Sequence, residues 1–120
     1  MRAFTYVLNN EEIDFRLTSS DAIKIEETYK VKLLDFIQDY SIKTIVTLLR
    51  YMRKGATGKA QSQEDAEALF DKMVDSGLAL ENILTEIIMP ACEKSGLLTE
   101  SDLLRIQEAR EENKEKATQN

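Results

Sequence analysis

The stretch FTYVLNNEEIDFRLTSSDAIKIEE, Phe4 to Glu27, changes its hydrophobic period halfway along, and that change decides the fold class. Phe4, Tyr6 and Leu8, then Ile13, Phe15 and Leu17, recur every second residue, the period of strands with one buried face. Asn9 and Asn10 stand between the two runs, and asparagine tolerates the left-handed conformation that a tight turn requires. The pattern predicts a β-hairpin over about residues 3–17, with Glu12, Asp14 and Arg16 on the solvated side. It leaves the register open by one residue around Glu11 and Glu12. An isolated hairpin is marginal in water, so its apolar face must rest on other elements.

From Thr18 onward the period becomes helical. Thr18 with Asp21, Ser62 with Asp65 and Thr99 with Asp102 match [ST]-x-x-[DE], in which the hydroxyl satisfies a free helix N–H and the acid favours the positive helix end. The first helix is expected from about Ser19 to Tyr29 on a thin stripe of Ala22, Ile25 and Tyr29, and a short segment follows from Leu33 to Gln38. Ser41 can cap a third helix reaching about Arg53, with Ile42, Ile45, Val46, Leu49 and Met52 on one face. Leu48 widens that stripe, whereas Tyr51 falls away from it. A fourth helix, Gln63 to Ser76, carries Ala66, Leu69, Phe70, Met73 and Val74 and stops at Gly77. A fifth, about Leu80 to Ser95, buries Leu80, Ile83, Leu84, Ile87 and Ile88. Pro90 should kink or end it, and Met89 projects opposite its main stripe.

The last segment begins at the Thr99 cap with Leu103, Leu104 and Ile106, and beyond Ala109 holds no large apolar residue. The fold expected is mainly α: an N-terminal hairpin and five or six short helices in one compact domain over residues 1–108. Residues 109–120 are expected to be a charged flexible tail, either a fraying helix or a disordered segment.

The composition narrows the chemistry. Sixteen Lys and Arg against 22 Asp and Glu give a formal charge of -6, which disfavours nucleic acid and anionic membranes as partners. No apolar run approaches the roughly 20 residues needed to span a bilayer. MRAFTYVLNN lacks the apolar core of a signal peptide, and a lone Cys92 fits a reducing compartment, so the cytosol is expected. The chain contains no histidine, which removes Ser-His and Cys-His nucleophile pairs and the HExxH zinc motif. Self-association is left open.

RKGATGKAQS, Arg53 to Ser62, invites a phosphate-loop reading, because Gly58-Lys59 could be half of G-x-x-x-x-G-K-[ST]. Arg53 stands where the first glycine belongs, Ala60 where the hydroxyl belongs, and a helix precedes the segment instead of a strand. A helix connector is expected, and no nucleotide, metal or other cofactor. The acidic pairs Glu26-Glu27 and Glu111-Glu112 point about 100° apart on a helix, so they do not converge on an ion. Cys92, Met52 and Met73 read as packed core residues. No catalytic constellation emerges, and the chain is expected not to be an enzyme.

The order of these parts resembles a family. FTYVLNNEEIDFRLTSSDAIKIEETYKVKLLDFIQDYSIKTIVTLLRYM looks like the N-terminal half of tail assembly chaperones from long-tailed bacteriophages of Gram-positive hosts. SGLALENILTEIIMPACEKSGLL is similar to the later helical part of that family, and the resemblance covers about residues 3 to 100. It implies a non-catalytic protein of the host cell cytoplasm, absent from the mature virion. Such a protein binds the long, helical tape measure protein, keeps it soluble and promotes tail tube assembly around it. It further implies a longer form made by frameshifting that recruits the major tail tube protein. An amphipathic client helix could then lie in a groove between the Ser41 to Arg53 and Leu80 to Ser95 helices, with Leu48, Tyr51 and Met89 as partner-binding residues. The alternative is an acidic phage protein that inhibits a nucleic-acid enzyme by DNA mimicry. That reading needs carboxylates clustered on one face, whereas Lys and Arg are interspersed with the acids along most of the chain.

Overall fold

In a computed structural model that describes residues 2–118, and the side chains of residues 2–112, β1 (Phe4–Leu8) pairs antiparallel with β2 (Glu11–Phe15). Asn9 and Asn10 both take left-handed φ, 50° and 66°, as the two-residue turn demands. Tyr6 faces Ile13 and Phe4 faces Phe15, which fixes the register and puts Ile13, Phe15 and the following Leu17 in the core.

Six helices follow among the described residues: α1 (Ser19–Tyr29), α2 (Leu33–Gln38), α3 (Ile42–Thr57), α4 (Gln63–Asp75), α5 (80–94) and α6 (Glu100–Thr118). The expected caps are made. Thr18 accepts from the Asp21 N–H, Ser62 and Asp65 form a reciprocal capping box, and Thr99 and Asp102 bond each other's backbone N–H. These bonds hold the carboxyls of Asp65 and Asp102 below the usual aspartate value.

The hairpin rests on α3. Beyond β2 the Arg16 N–H donates to the Met52 carbonyl at 3.0 Å, and Arg53 Nη1 donates to the Asp14 carbonyl at 2.6 Å. A side chain on Gly55 would overlap the Arg16 carbonyl oxygen. Gly55 is therefore an interior helix residue that lets a neighbouring backbone approach, and α3 runs past the expected end at Arg53 to Thr57. Gly58, with φ 73°, is the left-handed cap that stops it. RKGATGKAQS is thus half helix, and its connector is only residues 58–62.

Pro90 neither ends nor breaks α5. The helix has α geometry over Leu80–Ile83, widens to π geometry over Leu84–Ile88, and returns to α over Met89–Lys94. The Met89 N–H reaches back five residues to the Leu84 carbonyl, so Pro90 falls in the first turn of the resumed α segment, where its missing donor is tolerated. Each residue of the widened turn advances less than the α-helical 100°. Met89 therefore swings from the far side into the core, followed by fully buried Ala91 and Cys92. Burial alone pushes the Cys92 thiol up to about 12.

Past Ala109, where the apolar part of the segment ends, α6 continues to Thr118. Its anchor past the last apolar residue is Arg110, which pairs with Glu81 at 2.6 Å and lies 5.2 Å over the Tyr40 ring. Residues 119 and 120 of the expected tail lie outside the described residues. No helix among the described residues is long and apolar enough to cross a membrane.

A candidate partner groove between α3 and α4

The three residues expected to meet a partner do not form a surface. Leu48 is 0 % and Met89 3 % exposed, and both belong to the main core cluster; Tyr51 is half-buried against it, with the Arg50 guanidinium 5.9 Å from its ring. The expected groove between α3 and α5 is filled, because α3 packs directly on the π segment. Leu48 is claimed by the width of the α3 stripe and Met89 by the π turn.

The open apolar groove lies on the opposite flank of α3, against α4. Its volume is about 480 Å³, and Ile42, Lys43 and Val46 line one side, with Gln63, Glu67, Phe70 and Asp71 on the other. Its origin is angular. Ala66 and Met73 lie about 20° apart on the α4 wheel and point into the core, whereas Phe70 and Val74 stand further round the same helix. The apolar arc of α4 is wider than α3 can cover. Phe70 is consequently half-buried, Val74 is 45 % exposed, and Ile42 at the start of α3 is 59 % exposed above the buried Val46. The sequence placed Ile42, Phe70 and Val74 on core stripes, and the width of those stripes was the available signal that part would remain uncovered.

A second apolar depression of about 380 Å³ is formed by Ala22, Ile23, Leu33, Leu34, Leu97 and Leu98. Glu26 at its edge is already engaged, accepting from the Leu33 N–H at 2.9 Å and capping α2. On the far side of α4 the seam against β2 is polar instead. There Arg50 donates to the Gln61 carbonyl at 2.8 Å and Lys72 pairs with Glu11, holding the Glu11 carboxyl below its usual value.

Other polar clusters have structural partners. Asp21 is buried but receives Lys54 Nζ at 2.9 Å and the Thr18 hydroxyl at 3.1 Å. Asp39 accepts from the Ser41 and Thr44 hydroxyls, each at 3.0 Å, which builds the start of α3. Among the described residues no buried side-chain polar atom lacks a partner, and no three acidic or thiol groups could hold a metal ion. Comparison with protein-family models, curated proteins and solved structures finds nothing that matches this chain.

Proposed function

We propose that this chain is a non-catalytic assembly chaperone that binds an apolar-faced helix of a phage tape measure protein and keeps that client soluble while tail tube subunits assemble. It acts in the host cell cytoplasm and does not enter the mature virion. The observation that carries the reading is the uncovered groove of Ile42, Val46 and Phe70 between α3 and α4, which suits an amphipathic helix presenting residues at i, i+3 and i+4. The hairpin-then-helices order agrees with the family that the sequence resembles. Recruitment of the tail tube protein belongs to a longer frameshifted form.

DNA mimicry finds less support. A mimic needs carboxylates set out like the phosphates of both strands, and the exposed acids of α4 make one row beside an apolar groove.

The test is coexpression with a tape measure fragment. The wild-type chain should hold the fragment in the soluble fraction as a complex. Phe70→Glu and Ile42→Glu should release it to the pellet while remaining folded. A fragment held equally well by both variants would remove the groove from the account, and one insoluble even with the wild type would remove the function.

A further inference from the structure

We infer that the α3–α4 groove selects client helices whose apolar face is edged with Lys or Arg. This inference rests on the client-helix reading above and adds a charge rule to it. Glu64, Glu67, Asp71 and Asp75 are all exposed, and their spacings of three, four and four set them in one row along α4. Eleven residues of helix make that row about 16 Å long, three turns of a docked client. The row borders the face that carries Phe70 and Val74, and two of its members, Glu67 and Asp71, line the groove itself. None of the four makes an ion pair among the described residues, in contrast to Glu11, Asp21 and Glu81, which have cationic partners. The opposite rim offers a single cation, Lys43. An apolar trough with one acidic bank is complementary to an amphipathic helix that is basic along one edge.

The same row argues against a second copy of this chain as the occupant. A two-fold contact sets each patch against itself, so α4 acids would face α4 acids on a chain already carrying -6.

The experiment uses the full chain and two labelled amphipathic peptides of about five turns with identical apolar faces, one edged with Lys and one with Glu, followed by fluorescence anisotropy. At about 0.01 M salt, where screening acts only beyond about 30 Å, the Lys-edged peptide should bind at least about tenfold tighter. At about 1 M salt the preference should vanish. Glu67→Lys with Asp71→Lys should reverse it, Glu67→Gln with Asp71→Asn should abolish it, and Ile42→Glu should weaken both peptides. Equal binding of both peptides, with Ile42→Glu still weakening both, would overturn the charge rule and leave the groove standing. Binding of neither peptide would overturn the rule and the groove together. Concentration-dependent self-association of the wild type that Ile42→Glu abolishes would assign the groove to a second copy and overturn the rule.

Discussion

Replacing Gly55 by alanine tests how the hairpin is fastened to the helical body. In a solvated helix the change would stabilise by about 0.5–1 kcal/mol, because alanine loses less backbone entropy. Here the new methyl would overlap the Arg16 carbonyl oxygen and stand 3.0 Å from its carbon, both backbone atoms that cannot rotate away. The chain after β2 must therefore lift from α3. Lifting weakens the 3.0 Å bond from Arg16 to the Met52 carbonyl, worth about 1 kcal/mol. It also loosens Phe15 and Leu17, which are fully buried beside it, and losing about a quarter of their burial costs about another 1 kcal/mol. With the ordinary 1–3 kcal/mol cost of overpacking as a bound, the net effect is destabilisation by about 1–2 kcal/mol after the helix gain. That corresponds to a fall in Tm of about 4–8 °C for a domain of this size. Urea melts followed by circular dichroism, with calorimetry for Tm, measure it directly. Gly58→Ala provides the contrast: no atom lies within 4 Å, and its cost, about 1 kcal/mol, comes only from the left-handed φ of 73°. Unchanged or increased stability of Gly55→Ala would refute the close approach of Arg16 to α3.

Other substitutions separate core from surface. Leu48→Asp and Met89→Asp place a charge among fully packed side chains and should unfold the protein, seen as loss of the cooperative melt, whereas Ile42→Asp should shift Tm by only a few degrees. The carboxyls of Asp65 and Asp102 have native values below the ordinary 3.8, so their contribution to stability is complete above that value and fades as pH falls through the lowered native values. Asp65→Asn with Asp102→Asn should flatten the loss of stability on the acid side of a pH series of urea melts. Cys92, buried and with its thiol pushed up to about 12, should react with a thiol reagent only as fast as the protein opens, and fast native labelling would contradict its position.

The parts of this fold that were legible in the sequence are those set by neighbouring residues. The Asn9-Asn10 turn, the alternation through Phe15 and the paired caps at Thr18, Ser62 and Thr99 specify local backbone, and α1 begins after its Thr18 cap as that chemistry requires. The misreadings came from a distant partner at Gly55 and from an irregular helical turn at Met89. Gly55 looked like a helix stop, but its bare Cα serves the Arg16 carbonyl brought in by the hairpin. Met89 looked like a surface residue at 100° per residue, and a π turn reset that count. The anchoring of α6 at Arg110 was not legible either, because nothing near Arg110 in the chain reveals Glu81 and Tyr40 beside it. Periodicity identified Ile42, Phe70 and Val74 as apolar-face residues, but which of them a neighbouring helix covers depends on packing, and the candidate groove is what packing leaves over.

The most direct test of the account is hydrogen exchange of the full chain with and without its proposed client, a tape measure fragment. Slowed exchange should be confined to the first half of α3 and to α4 around Phe70 and Val74, with the depression at Ile23, Leu34, Leu97 and Leu98 unchanged. Protection at that depression, or along the α3–α5 contact at Leu48 and Met89, with α4 unaffected, would contradict the assignment of the groove.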